Sequence, residues 1–249
     1  MIGLRASAKL TWYLEITGHR DDGWHDLRSE MVTIDFHDIL VVDDDGDYLR
    51  VFAPGHDVPG DDTNLVARAL RLVDRRAGVT VEKAIPVGGG LGGGSADAAA
   101  ILRWSGGVSA ELAATLGGDV PFCQLGGRAL VEGMGERLTP LPFEARDVTL
   151  LMPSFGVNTA QCYRAYDDLR AEGWVPRGPN HLEEPAARVE PRLARTLEWL
   201  RSELGADVQV AGSGSTMFLP RQLRRDVSHW SVQGPDGPIR FLQTTTTPA

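Results

Sequence analysis

Residues 9–16 alternate, with Leu10, Trp12, Leu14 and Ile16 on one side and Lys9, Thr11, Tyr13 and Glu15 on the other. This period of two predicts a strand with Lys9 and Thr11 on a shared face. A polar turn over 18–26 and strands over 29–36 and 38–43 follow. The acidic run 43–47 lacks the spacing and closing Glu of a calcium loop, so it reads as a solvated hairpin turn. Leu65, Val66, Ala69, Leu70 and Val73 recur at helical spacing and predict a helix over 64–77. A strand over 79–87 runs straight into 88–95, which holds six glycines, and the Ala-rich stretch 96–104 predicts a helix behind them. A helix over 109–116 and a strand pair over 128–132 and 136–141 complete this part.

Beyond a boundary near Asp147 the pattern changes to short strands (148–152, 207–211, 216–219, 239–243) among helices (159–172, 191–204, 221–230). That alternation predicts helices on one face of a small antiparallel sheet, and the chain as a whole reads as α+β. The tail 244–249 has no apolar pattern and reads as loose.

Composition narrows the classes. The 249 residues carry 25 Lys+Arg against 34 Asp+Glu, a net charge of −9, which argues against a nonspecific nucleic-acid binder. A small anionic substrate remains compatible, since a few donors can reverse the field inside one pocket. No uncharged apolar run approaches the roughly 18–20 residues of a membrane helix, and the N-terminus lacks a signal-peptide core. Cys123 and Cys162 are too few and too far apart for a disulfide framework or zinc knuckle, and read as buried thiols in a reducing cytoplasm. Lysine occurs only as Lys9 and Lys83, so each is a candidate for work needing a compact point charge.

The strand–glycine loop–helix unit is the strongest chemical signal. Its glycines let the backbone approach a bulky anion, and the helix behind adds unpaired N–H groups and the positive end of its dipole. A triphosphate is the natural ligand. The loop is not a P-loop, because no lysine precedes Ser95. A dinucleotide fingerprint fits poorly too, because no ribose-binding acid follows at the right strand end.

The run from Pro86 to Ala100 resembles the phosphate loop of the GHMP kinases, within them the branch that acts on a cytidyl diphosphate ester. Four further segments resemble that branch in the right order: 8–10, 18–27, 116–122 with its Leu-Gly-x-Asp-Val-Pro pattern, and 211–218; the hairpin 127–142 also fits. The resemblance implies a GHMP kinase fold in two domains. Residues 1–146 would form an ATP-binding half of the ribosomal-protein-S5-domain-2 type. Residues 147–249 would form a ferredoxin-like substrate half. It implies an ATP-dependent small-molecule kinase with Mg²⁺ accompanying ATP. Lys9 and Asp119 match the catalytic pair. Pro86, Val87, Gly88, Gly89, Gly90, Leu91, Gly92, Gly93, Gly94, Ser95 and Ala96 match the ATP loop, and Lys83 a position contacting adenine. Thr11, Trp24, His25, Thr159 and Tyr163 match substrate contacts, with cytosine sandwiched between Trp24 and Tyr163 and its edge read by His25.

Read without the resemblance, Lys9 is a surface lysine, Asp119 a helix cap, and Lys83 a strand-end solvent lysine. Ser95 either reaches phosphate or Mg²⁺, or caps its helix. Three departures from the family pattern stand out: Thr11 replaces an Asn, Trp24 replaces a Tyr, and the link 104–108 is short. A mevalonate- or homoserine-type kinase, or a GHMP-fold protein that binds without turnover, are the alternatives.

Overall fold

The structure is a computed structural model that describes residues 1–21 and 23–249; Asp22, a member of the polar loop motif, lies outside the described residues. Two long strands, β1 (Ile2–His19) and β2 (His25–Asp43), pair antiparallel along their length. The opposite edge of β2 is shared by β4 (Gly78–Glu82) and β5 (Arg128–Gly133), and β6 (Arg137–Pro140) extends the sheet beyond β5. β3 (Tyr48–Phe52) lies parallel to β4, reached through α1 (Leu65–Leu72).

The strands expected at 29–36 and 38–43 are one strand, because Asp38 is buried and bonded rather than a break. The acidic turn 43–47 does not close a hairpin: β4 lies between β2 and β3 in the sheet. The strand expected to reach Val87 stops at Glu82.

Helix α2 (Gly93–Trp104) buries its alanines, Ala96 and Ala98–Ala100, and these small side chains let it lie close against α1 and the sheet. The short α3 (Ala110–Ala114) leads to α4 (Val120–Leu125), a helix the sequence pattern did not indicate.

The second half is a five-stranded antiparallel sheet in the order β10 (His229–Gly234), β11 (Gly237–Thr245), β7 (Asp147–Pro153), β9 (Met217–Leu219), β8 (Gln209–Val210). Leu151, Met217, Leu219 and Phe241 pack on α5 (Thr159–Ala171), α6 (Glu183–Val189) and α7 (Pro191–Leu204). On the other face Leu150, Met152 and Phe218 join Leu10, Val32, Ile34, Ile85 and Leu91 in one core that crosses between the sheets. This shared core brings β1 and the glycine loop against the second half.

Residues 221–228 are not the helix that their spacing suggested. Gln243 takes over the hydrogen bonding: its side chain accepts from the Leu223 and Arg224 N–H groups and donates to the Arg224 and Val227 carbonyls. The tail is not loose either. Thr246 bridges Ile34 and bonds Glu144 and Arg146, and the Thr247 N–H donates to Thr33 O. No helix among the described residues is long and apolar enough to cross a membrane.

Candidate active site

A cavity of about 760 Å³ lies where the two halves meet, lined by the glycine loop, Lys9, Asp119, and an aromatic group at 24, 25 and 163. Lys9 sits on β1 between two register shifts, after Ser7 and after Thr11, which increase the local twist. Lys9 and Thr11 share a face, as the alternation predicts, and both are buried. The Lys9 N–H donates to Leu91 O, tying the strand to the loop.

The Lys9 ammonium lies 3.2 Å from Asp119 Oδ2 and donates to Thr11 Oγ1 at 3.0 Å. A shortened side chain at position 11 thus serves to hold the lysine; Thr11 does not line the cavity. Asp119 stands at the N-terminus of α4, but its side chain caps nothing there and turns to Lys9. The surface-lysine and helix-cap readings therefore do not describe these side chains.

The glycine loop is hydrogen-bonded from both halves. Gly88 O accepts from the Val157 N–H and Gly89 O from the Thr216 N–H. Gly90 has φ +78°, and a Cβ there would strike the Ala211 carbonyl. Gly92, at φ +69°, begins α2 with no side-chain cap, so the first-turn N–H groups are left for an anion. Pro86, Val87, Gly88–Gly90, Gly92–Gly94 and Ser95 line the cavity. Leu91 and Ala96 do not; both are buried beneath it.

Lys83 also lines the cavity, but its ammonium is not a solvent-facing charge. It lies 2.5 Å from Asp38 Oδ2 and 2.6 Å from Asp97 Oδ2, while Asp38 Oδ1 accepts from the Ala84 and Ile85 N–H groups. No local motif marks Asp38 or Asp97, because the cation that pairs them, Lys83, is 45 and 14 residues away in the chain. Two carboxylates share one cation, and Asp97 Oδ1 is buried without a hydrogen-bond partner among the described residues. Burial pushes the Asp97 carboxyl up to about 7, with the Lys83 charge pulling the other way.

That shift has a sign. A folded-state carboxyl raised above its unfolded value contributes stability that is fully present below the unfolded value and is lost as pH rises through the folded one. Asp97→Asn removes the titration yet keeps an acceptor for Lys83. The fall in Tm from about pH 5 to about pH 8 should be smaller in the variant than in the unsubstituted protein. Equal falls would show that Asp97 is ionised throughout.

At the far end of the cavity Trp24 is 58% exposed, while the His25 imidazole is buried. Tyr163 on α5 stacks on His25 with centroids 5.1 Å apart, so one face of this ring is already covered. Burial pushes the Tyr163 hydroxyl up, with the nearby Asp119 charge adding to the shift. His25 Nε2 is 2.7 Å from Asp167 Oδ1, a partner no sequence motif indicated. Thr159 Oγ1 bonds Ser213 Oγ at 2.9 Å, and both line the cavity. Buried Asn180 donates to Val210 O and Gly212 O, holding the glycine turn that carries Ser213 beside Lys9.

Residues 64–127 match the family described as GHMP kinases N terminal domain. The chain is 35% identical to the 4-diphosphocytidyl-2-C-methyl-D-erythritol kinase of Delftia acidovorans, over 86% of this chain and 85% of that one. It is 36% identical to the enzyme of the same name from Paracoccus denitrificans, over 86% and 84%. A crystal structure of 4-(cytidine 5'-diphospho)-2C-methyl-D-erythritol kinase superposes over the whole of both chains with a TM-score of 0.71 at 30% identity. A mevalonate kinase structure, at 12% identity and a TM-score of 0.59, shares the fold. The chain therefore has the GHMP kinase fold and belongs to the 4-diphosphocytidyl-2-C-methyl-D-erythritol kinase family.

Proposed function

We propose that this chain transfers the γ-phosphoryl group of ATP to the 2-hydroxyl of 4-diphosphocytidyl-2-C-methyl-D-erythritol, a step in isoprenoid precursor synthesis. The observation that carries this reading is the Lys9–Asp119 pair, placed between a glycine loop suited to phosphates and an aromatic end suited to a base.

Phosphoryl transfer asks the protein mainly for alignment and charge stabilisation. The loop and the first turn of α2 hold the phosphates through backbone N–H groups. Asp119 accepts the proton of the acceptor hydroxyl. Lys9 pairs with that carboxylate at 3.2 Å and lies against the charge that builds on the transferring group. Lys83, held by Asp38 and Asp97, supports the nucleotide end. Ser95, which lines the cavity at the start of α2, would hold the Mg²⁺ that accompanies ATP, together with phosphate oxygens and water. When bound, the ion neutralises charge on the phosphates. Thr159 and Ser213 bind the polyol portion of the acceptor. We place the protein in the cytoplasm, where ATP is available and buried thiols such as Cys123 and Cys162, each pushed up to about 12 by burial, stay reduced.

At the aromatic end, Trp24 offers a face for the cytosine, and base–aromatic stacking contributes about 1–3 kcal/mol. Trp24→Ala should therefore weaken calorimetric binding of the cytidyl ester by about 5- to 150-fold and leave binding of a non-hydrolysable ATP analogue unchanged. Equal loss for both ligands, or for neither, would remove Trp24 as the base platform.

A further inference from the structure

The His25 ring is confined on three sides. Tyr163 stacks on it, the Tyr166 ring meets it edge-on at 5.8 Å, and His19 meets it edge-on at 4.9 Å. Its Nε2 faces the Asp167 carboxylate at 2.7 Å. A carboxylate only accepts, so the proton of the neutral ring resides on Nε2. Nδ1, on the other side of the ring, then carries a lone pair, and it has no hydrogen-bond partner among the described residues. His25 lines the cavity.

From this geometry we infer that Asp167 is a positioning residue that sets base selectivity by fixing the His25 tautomer. It rests on the proposed cytidyl substrate. With Nε2–H held by Asp167, Nδ1 presents an acceptor to the base. The exocyclic amine of cytosine donates to it, whereas uracil places a carbonyl oxygen at the same point and meets it lone pair to lone pair. Without Asp167 the ring can take either tautomer, and the alternative Nδ1–H form would favour uracil. Asp167 touches no reacting atom; its effect passes through His25 alone.

The test compares kcat/KM for the cytidyl ester and its uridyl analogue in unsubstituted protein, Asp167→Ala and Asp167→Asn. The protein is first treated with a chelator that is dialysed away before ATP and Mg²⁺ are added, because His19, His25 and Asp167 offer ligand atoms within 4.8 Å of one another and could trap a trace transition metal. The cytidyl preference should fall about 5- to 20-fold in Asp167→Ala, the scale of one mismatched hydrogen bond, with KM for ATP unchanged. Asp167→Asn keeps an acceptor for Nε2–H and should retain most of the preference. In ¹⁵N-histidine spectra of the unsubstituted protein, His25 should show Nε2 protonated and Nδ1 bare, a signature a merely structural aspartate would not set.

A preference unchanged in Asp167→Ala overturns the inference and leaves the kinase reading intact. Spectra with His25 Nδ1 protonated overturn it as well. Unsubstituted protein that does not phosphorylate the cytidyl ester removes both.

Discussion

Asp119→Asn should lower kcat by about 10²- to 10⁴-fold, the range that a positioned base contributes. The substitution changes almost no volume and the side chain caps nothing in α4, but it removes the charge facing the buried Lys9 ammonium, so Tm should fall while the fold is kept. Lys9→Met keeps the length of the side chain beneath Gly92 but removes its charge, and should reduce kcat on a similar scale. The two side chains are in direct contact and would serve one step, so the double variant should be little worse than either single one. Stopped-flow measurement of ADP formation with saturating substrates checks this. Losses that multiply would mean two independent contributions. Near-normal turnover in Asp119→Asn would exclude it as the proton acceptor.

Gly92→Val should have an effect as large, for two physical reasons that the structure separates. At φ +69° a β-branched residue is strained by about 1–3 kcal/mol. A Cβ at this point would also meet Lys9 Cγ at 2.8 Å and lie 3.6 Å from Asp119 Oδ2, with the rest of the side chain entering the phosphate space. Binding of an ATP analogue should weaken by more than about 100-fold, equivalent to about 3 kcal/mol. Gly106→Val provides the control: its φ of +100° imposes strain, yet a Cβ there meets nothing within 4 Å. That variant should lose stability and keep nucleotide affinity. If calorimetry gave normal affinity in a folded Gly92→Val protein, the loop would have no role in holding phosphates.

Local chemistry made the glycine loop readable in the sequence, because backbone approach to an anion depends on residues adjacent in the chain. The scarcity of lysine marks Lys9 as a candidate, but its pairing with Asp119 is readable only through family resemblance, since the two lie 110 residues apart in the chain. What escaped the sequence depends on distant partners. Asp38 looked like an interruption between two strands, but Lys83 and two backbone N–H groups, some 45 residues away, satisfy it inside one strand. Residues 221–228 carried a helical spacing that Gln243 overrides from the neighbouring strand. Asp167 lay unremarked on a helix, and its importance appears only once that helix packs beside His25.

The most direct test of the account is turnover with competing acceptors. ADP release should be measured with ATP and, in turn, 4-diphosphocytidyl-2-C-methyl-D-erythritol, mevalonate and homoserine, as kcat/KM for each. The account predicts preference for the cytidyl ester by about 10³-fold or more, because a site built around a base leaves polar groups unpaired when the base is missing. Comparable values for mevalonate or homoserine, or no ADP release with the cytidyl ester, would contradict it.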